Sequence, residues 1–215
     1  ESNQIDTSFI KKVFMSIENY INENTVLCIK STIHPEALEK IFADLNFDKS
    51  RIVFNPEFLR EGSAFTDFFQ PDRIVIGSTD EENAKKVGSL YKDLDTEILF
   101  TDPVSSQLIK YLSNAYLPLR LSFVNEASQI ISVMGGNLQE TLKGIGMDNR
   151  IGQNYFRPSP GWGGSCFPKD LNEIQNLAEN NSLNLPIIKN INESNNIHME
   201  WFGNQLIKIK KEKKL

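Results

Sequence analysis

Cysteine and histidine are scarce in this sequence. Its 215 residues include two of each, and the cysteines, Cys28 and Cys166, lie far apart. This spacing excludes a disulfide framework and a zinc site with closely spaced ligands, so we expect no structural metal ion. Cys28 falls within the apolar segment TVLCIKS, where we expect it to be a small buried side chain.

Long apolar runs and an excess of basic residues are missing as well. No stretch approaches the roughly 18–20 apolar residues of a membrane span, and the N-terminus has no signal-peptide pattern. The formal net charge of −5 argues against a nucleic-acid-binding surface. We therefore expect a cytoplasmic protein without membrane or nucleic-acid partners. The sequence starts without methionine and stops within a helical pattern, which suggests a piece of a longer protein.

Hydrophobic periodicity predicts an α/β part followed by an all-helical part. In the first part, short β-branched segments alternate with helical patterns, which is typical of a parallel sheet covered by helices. The predicted strands cover residues 25–31, 51–54, 73–77 and 97–100, and the predicted helices cover residues 6–23, 35–45 and 80–94. The segment between the second and third strands is predicted to be a long loop.

From residue 103 the pattern becomes helical. The spacing predicts one long helix, bent but not ended by Pro118, with an apolar stripe of Leu108, Leu112, Ala115, Leu119, Phe123, Ala127, Ile130 and Met134. A shorter helix ends near residue 145, and a loop rich in glycine and proline covers residues 146–167. Helices at residues 168–180 and 186–210 follow, the last with a looser apolar pattern of Ile187, Ile191, Ile197, Trp201 and Leu206.

The second cysteine lies in the segment GWGGSCFPKD. Pro168 suits the first turn of a helix, so Cys166 would lie beside unpaired N–H groups, which together with Lys169 stabilise a thiolate. The glycines before it would let a ligand approach the backbone closely. The residues alone leave two interpretations open: a nucleophile that faces a ligand, or a small buried side chain. The segment GWGGSC follows no strand and is not a G-x-G-x-x-G dinucleotide fingerprint, and the sequence contains no other.

Several polar residues could assist such a thiol. Lys110 and Asn114 lie one helical turn apart and could stabilise an oxyanion, although these two residues taken alone favour a solvated lysine and a surface asparagine. Asp170, four residues after Cys166, could accept a proton or simply complement the helix dipole.

Two further segments follow predicted strands. Glu57 and Glu61 lie among aromatic residues, at an edge where ligands of open α/β sheets bind. Ser31 and Thr32 would lie at the same edge, with helix capping as the alternative role.

Five segments together resemble a known family. STIHP, NPEFLREGSAFTDFFQPDRIVIG, LIKYLSNAYL, GIGMDNRIG and SPGWGGSCFPKD, in this order and at these spacings, are similar to the UDP-glucose 6-dehydrogenase family of nucleotide-sugar dehydrogenases. The resemblance implies an NAD-dependent, four-electron oxidation of UDP-glucose to UDP-glucuronate. It implies that residues 1–102 are the C-terminal part of a Rossmann-like NAD-binding domain. Residues 103–185 would be the central helical dimerisation domain of a homodimer, and residues 186–215 a connecting helix.

The resemblance also implies roles for individual residues. Cys166 would form a thiohemiacetal and then a thioester, with Lys110 and Asn114 holding the oxyanion. Asp170, Thr32 and Glu57 would order the water and handle protons. The implied substrate contacts are Phe58, Leu59, Arg60, Tyr155, Arg157, Ser159, Gly161, Trp162 and Gly163, with Arg150 reaching a neighbouring subunit. The implied NAD contacts are Ser31, Thr32, Ile33, Glu61, Cys166 and Lys169.

The chain departs from the family pattern at both ends. The resemblance implies that the N-terminal G-x-G-x-x-G segment and the C-terminal UDP-binding domain are missing, so we expect the 215-residue chain to be inactive alone. One alternative is a relative acting on GDP-mannose or on a UDP-N-acetylhexosamine. Another is a non-catalytic helical interaction module with a buried thiol. A cysteine acyltransferase would need a suitably placed histidine, which neither His34 nor His198 is expected to provide.

Overall fold

The computed structural model describes residues 8–34, 36, 37, 39 and 47–213. The chain divides into two compact units, Ser2–Leu112 and Ser113–Leu215. The predicted helix at residues 35–45 lies mostly outside the described residues.

The first unit contains a four-stranded sheet. Its strands, in spatial order, are β1 (Leu27–Ile29), β2 (Ile52–Phe54), β3 (Ile74–Gly77) and β4 (Ile98–Thr101). β1 pairs with β2, and β3 with β4, in parallel, whereas β2 and β3 pair antiparallel at Phe54 and Gly77. The predicted α/β class is confirmed, but the sheet is not wholly parallel. The connection from β2 to β3 carries only the six-residue helix α2 (Ala64–Phe69), where parallel strands usually have a full crossover helix.

Apolar side chains cover both faces of this sheet. One cluster comprises Phe14, Ile33, Ile52 and Phe54, with Phe14 supplied by α1 (Ser8–Ile17). The other comprises Val53, Ile74, Ile76, Ala84 and Val87, the last two supplied by α3 (Glu81–Gly88). Successive residues of β2 enter opposite clusters because side chains alternate along a strand. Coverage of both faces explains the uninterrupted apolar runs of β2 and β3.

The prediction that Cys28 is buried is wrong, because the residue is exposed. It lies in β1, an edge strand of the described sheet, whereas α3 packs mainly against β2 and β3. Partial desolvation still raises the pKa of the Cys28 thiol, and Lys30 opposes that shift. The Cys28 thiol is therefore a weak nucleophile near neutral pH.

The predicted long helix is confirmed as α4 (Pro103–Val133), with Pro118 inside it. It begins in the first unit and ends in the second. Three helices follow in the second unit: α5 (Leu138–Gly146), α6 (Phe167–Asn180) and α7 (Pro186–Glu212). Residues 147–166, between α5 and α6, form turns and bends without helix or strand, as predicted for this loop. No described helix is long and apolar enough to cross a membrane.

The buried face of α4 differs from its apolar stripe. Phe123, Ile130 and Met134 of the predicted stripe are 57%, 64% and 79% exposed. The buried residues of α4 include many polar ones: Ser106, Gln107, Lys110, Asn114, Ser122, Asn125 and Ser128. In α7, likewise, Ile197 is exposed and the buried residues are Ile191, Asn195 and His198. Periodicity identifies residues that share a helix face, but not which face the rest of the chain covers.

Gly77, the last residue of β3, has no room for a side chain. A Cβ there would lie 2.5 Å from Ser106 Cβ and 2.8 Å from Asp102 O. We expect Gly77→Ala to lower the free energy of unfolding by about 1–3 kcal/mol, measured by urea denaturation of the purified protein. Gly144→Ala is the control, because a Cβ on Gly144 in α5 meets nothing within 4 Å and alanine favours a helix. Equal stability of the two variants would contradict this assignment of strain.

Candidate active site

Cys166 lies at the N-terminus of α6, as predicted. It is the N-cap residue of the helix, and Pro168 lies in the first turn. The residue is exposed, and its Sγ lies 3.7 Å from Ser165 Oγ. Of the two interpretations of this cysteine, exposure beside helix N–H groups favours the nucleophile that faces a ligand.

Asp170 lies one helical turn below Cys166, and its backbone N–H donates to the Cys166 carbonyl at 2.9 Å. The residue is 1% exposed, and its Oδ2 accepts a hydrogen bond of 2.6 Å from Asn114 Nδ2. Its Oδ1 is buried and accepts no hydrogen bond from the described residues, although Lys169 Nζ lies 3.4 Å away. A buried carboxylate with one oxygen fixed and the other available is suited to binding a water molecule or a proton.

Lys110 is buried in the first unit with 4% exposure, unlike a solvated lysine. Its Nζ donates to the Glu57 carbonyl at 2.6 Å, lies 3.7 Å from Glu57 Oε1, and stands 5.3 Å from the centre of the Phe58 ring. Arg73 lies over the same ring at 4.1 Å. Glu57 Oε2 accepts a hydrogen bond of 2.7 Å from the Leu59 N–H. A buried cation beside a partly buried carboxylate can stabilise negative charge or assist proton transfer.

Arg60, predicted from the resemblance to contact substrate, is held by Asp67. The Asp67 carboxylate accepts hydrogen bonds from the Arg60 N–H at 2.9 Å, from Arg60 Nε at 3.0 Å and from Ser63 Oγ at 2.9 Å, and it forms an ion pair with the Arg60 guanidinium. Asp67 lies in α2, which sequence reasoning missed, and it fixes the loop that carries Glu57 and Glu61. A signal was present, because an arginine precedes the aspartate by seven residues in a segment that also contains several phenylalanines.

The Arg60 hydrogen bonds hold the pKa of Asp67 well below its ordinary value. A lowered folded-state pKa means that Asp67 stabilises the fold above its unfolded pKa of about 3.9, and that this contribution is lost as the pH falls through the folded value. We expect Asp67→Asn to lower the midpoint of thermal unfolding by a few degrees at pH 7, with a difference from the wild type that shrinks below about pH 4. Thermal scans across this pH range measure the difference, and one that stayed constant with pH would contradict the ion pair.

The residues expected to contact NAD differ in exposure. Ser31 and Glu61 are exposed, and Thr32 is half-buried. Ile33 is fully buried in the apolar cluster of α1 and β2, and its N–H donates to Gln107 Oε1 at 3.1 Å. Two hydroxyls and a carboxylate suit the hydroxyls of a sugar or ribose, but the sequence lacks the glycine-rich turn that cradles a pyrophosphate. The residues of this chain therefore fit only part of a dinucleotide.

The loop before Cys166 is fixed by its own hydrogen bonds. The Ser159 N–H donates to Asn125 Oδ1 at 2.8 Å, and Ser159 Oγ donates to the Gly161 carbonyl at 3.0 Å. Trp162 Nε1 donates to Ser122 Oγ at 2.8 Å. A Cβ on Gly161 would lie 2.5 Å from Met199 Cγ, so this glycine makes room for a side chain of α7 rather than for a ligand. Around Gly163, in contrast, nothing lies within 4 Å of the position of a Cβ.

The charged and aromatic residues earlier in this loop remain accessible. Arg157 is exposed, and Tyr155 is half-buried with a positive φ of 54°. Arg150 is exposed and forms an ion pair with Asp148, with NH2 2.7 Å from Oδ2. That ion pair raises the pKa of Arg150 and lowers that of Asp148.

Sequence reasoning also missed two buried polar residues of α7. Asn195 and His198 are 6% and 2% exposed, and both bind the loop at residues 159–162. Asn195 and His198 are three residues apart and share one helix face with the buried Ile191. This spacing is the sequence pattern that could have indicated their burial. Among the described residues, no group of three or more His, Cys, Asp or Glu side chains could hold a metal ion.

Comparison with known proteins identifies relatives of this chain. The model of the UDP-glucose/GDP-mannose dehydrogenase family, NAD binding domain, matches residues 1–95, and that of the central domain of the same family matches residues 104–197. A UDP-glucose 6-dehydrogenase from Rickettsia felis is 39% identical over 200 residues, covering 91% of this chain and 45% of its own. One from Bacillus subtilis is 37% identical over 186 residues, covering 84% of this chain and 42% of its own.

A solved structure is similar as well. The UDP-glucose dehydrogenase from Pyrobaculum islandicum superposes with a TM-score of 0.79 at 33% identity, covering 91% of this chain and 47% of its own. The chain spans about half the length of the relatives it matches. The two family models together match most of its residues, and the relatives exceed 30% identity over most of it. The chain therefore belongs to the UDP-glucose/GDP-mannose dehydrogenase family.

Proposed function

We propose that the protein carrying this chain oxidises UDP-glucose to UDP-glucuronate, with NAD as the hydride acceptor. The observation that carries the proposal is the start of α6, where the exposed thiol of Cys166 lies one turn above the buried Asp170, whose Oδ2 is held by Asn114. The relatives named UDP-glucose 6-dehydrogenase support the choice of substrate.

The proposed reaction removes four electrons from C6 of the sugar. When bound, NAD accepts a hydride at each of two oxidation stages. In the first stage C6 loses a hydride and its hydroxyl releases a proton to water, which leaves an aldehyde. The Cys166 thiolate then adds to this aldehyde with formation of a C–S bond and an alkoxide. Loss of the second hydride from C6 leaves a thioester, and water then attacks its carbonyl carbon. The C–S bond breaks, the carboxylate is released, and the thiolate is restored.

The side chains around this chemistry have distinct proposed roles. The Lys110 ammonium and the Asn114 amide stabilise the alkoxide by donating hydrogen bonds to it. Asp170 Oδ1, which accepts no hydrogen bond from the described part of the chain, orders the hydrolytic water. Glu57 accepts a proton from that water, and the Thr32 hydroxyl assists.

The proposed ligand contacts are residues of loops whose side chains are at least partly exposed. Arg157 is exposed and suits a phosphate of the nucleotide sugar, and Tyr155 and Gly163 lie in the same loop. Phe58 and Leu59 adjoin Glu57, and the exposed part of Arg60 adjoins them. Ser31, Thr32, Glu61 and Lys169 would contact NAD, whereas the Ile33 N–H would not, because it already donates to Gln107.

We also infer that the protein forms a homodimer through its helical unit. Exposed apolar side chains lie along α4, namely Tyr116, Phe123, Ile130 and Val133, and the exposed Met134 directly follows the helix. Exposed large apolar side chains on one helix support a protein–protein interface there. Arg150 is exposed and would reach the neighbouring subunit's site. A sedimentation mass equal to a single polypeptide would overturn this inference.

The decisive experiment is an assay of the complete gene product with NAD and each of three substrates: UDP-glucose, GDP-mannose and a UDP-N-acetylhexosamine. We expect the highest kcat/KM with UDP-glucose and formation of two NADH per UDP-glucuronate. A preference for GDP-mannose or for the UDP-N-acetylhexosamine would overturn the proposed substrate but leave the proposed oxidation chemistry unchanged. No NADH formation with any of them would overturn the proposed function.

A further inference from the structure

Side chains of both α7 and α4 form hydrogen bonds with the loop at residues 159–162. The Asn195 side chain binds both backbone groups of Trp162: its Oδ1 accepts from the Trp162 N–H at 3.0 Å, and its Nδ2 donates to the Trp162 carbonyl at 2.9 Å. Only a side-chain amide offers an acceptor and a donor in this fixed geometry. Because Asn195 is 6% exposed, the two bonds are shielded from water.

His198 holds the same loop three residues earlier. Its Nε2 lies 2.8 Å from the Ser159 carbonyl, and its Nδ1 lies 2.9 Å from Gln129 Nε2. A carbonyl can only accept, so Nε2–H donates to Ser159, and Nδ1 faces the Gln129 amide nitrogen. The ring stacks on Trp201 at 5.7 Å and is 2% exposed. The imidazole is thus a fixed bridge between α4 and the loop.

These bonds engage the backbone N–H and carbonyl groups of both Ser159 and Trp162. Both N–H groups donate to asparagine side chains, and both carbonyls accept from α7. The N–H groups of Ser159 and Trp162 are therefore not available to donate to a nucleotide sugar, whereas side chains of this loop and residues such as Gly163 are accessible. The loop also connects to the thiol, because the Trp162 ring packs edge-on against Phe167 with centroids 6.3 Å apart, next to Cys166.

Helix α7 binds α6 as well as the loop. Asn192 Nδ2 donates to Asn172 Oδ1 at 3.2 Å, and Gln175 Nε2 donates to the Ile188 carbonyl at 3.3 Å. Helix α6, which follows Cys166, and the loop that precedes Cys166 are therefore both hydrogen-bonded to α7.

We propose that Asn195 and His198 are positioning residues that fix the 155–163 loop for nucleotide-sugar binding, a role that rests on the proposed function. Neither contacts the reacting atoms. Their loss should weaken the binding of UDP-glucose much more than it slows the chemical steps, because Cys166, Asp170 and Asn114 stay in place.

The experiment compares Asn195→Ala, His198→Leu and His198→Gln in the complete gene product, with Asn196→Ala as the control. Asn196 neighbours Asn195 on α7 but is exposed. We expect Asn195→Ala and His198→Leu to raise the KM for UDP-glucose by about 10-fold, the loss of roughly 1.4 kcal/mol, with kcat and the KM for NAD changed less than about twofold. His198→Gln should recover most of the loss, because its amide can still donate to the Ser159 carbonyl. An unchanged KM for UDP-glucose, or a lower kcat alone, would overturn the proposal.

Hydrogen exchange provides a readout that needs no substrate. The Ser159 and Trp162 amide protons should exchange at least about 10-fold faster in Asn195→Ala and His198→Leu, while the amides of α5 keep their wild-type rates. The control variant should show neither effect. If the wild type does not oxidise UDP-glucose, the proposed function fails, but the exchange rates still decide whether the two residues hold the loop. Unchanged exchange at residues 159–163 would overturn the positioning role.

Discussion

Replacing Cys166 with serine should lower the rate of UDP-glucuronate formation by a factor on the order of 10³ or more, because the thioester route needs a thiolate. A serine hydroxyl at the same helix N-terminus is almost entirely protonated near neutral pH and is a poor nucleophile toward an aldehyde. The substitution removes little volume at an exposed position, so the unfolding midpoint should stay within a degree or two of the wild type. Steady-state NADH formation and product analysis by chromatography measure the effect.

Cys28→Ser is the matched control, since both cysteines are exposed but lie in different settings. Partial desolvation raises the pKa of the Cys28 thiol, so iodoacetamide near pH 7 should label the Cys166 peptide much faster than the Cys28 peptide. Peptide mass spectrometry after brief alkylation separates the two. Full activity of Cys166→Ser would refute covalent catalysis. Slow labelling of Cys166 would instead favour the non-catalytic helical module.

Periodicity predicted the fold class well because it records local structure. The strand β3 was placed within one residue of its observed start, and α4 was predicted through Pro118, because the apolar spacing continues on both sides of the proline. The antiparallel pairing of β2 with β3 and the short helix α2 were missed. Both depend on how the segment at residues 55–73 packs, and no periodic pattern in that segment records it.

For the candidate site, likewise, some features were predictable from the sequence and others were not. The positions of Cys166 at a helix N-terminus and of Asp170 one turn later were predictable from Pro168 and from helical spacing. The burial of Lys110 was not predictable, because a lysine is buried only when the rest of the chain supplies partners, here Glu57 and the Phe58 ring. His198 was set aside for the same reason, since its partner, the Ser159 carbonyl, is a backbone group that no side-chain pattern reveals.

Replacing Asp170 with asparagine should lower kcat by about 100-fold, with a small change in the KM for UDP-glucose. The substitution keeps the shape of the side chain and an oxygen that can accept from Asn114, but it removes the negative charge that orders water and binds a proton. Burial makes the change severe, because little solvent can replace the lost carboxylate at a residue that is 1% exposed. Glu179→Gln, an exposed acid in the same helix, should leave kcat unchanged.

A double-mutant cycle with Asn114→Ala tests whether the two residues act together. Because Asn114 Nδ2 donates to Asp170 Oδ2 at 2.6 Å, the cost of removing the amide should depend on the carboxylate it holds. We expect Asn114→Ala to lower kcat at least about 10-fold in the wild-type background and much less in the Asp170→Asn background. The reason is that the orientation of residue 170 matters less for catalysis once its carboxylate charge has been removed. Strictly multiplicative losses would show that Asn114 acts on the oxyanion independently of Asp170. A wild-type kcat in Asp170→Asn would remove Asp170 from the mechanism and leave Glu57 as the group that must activate the water.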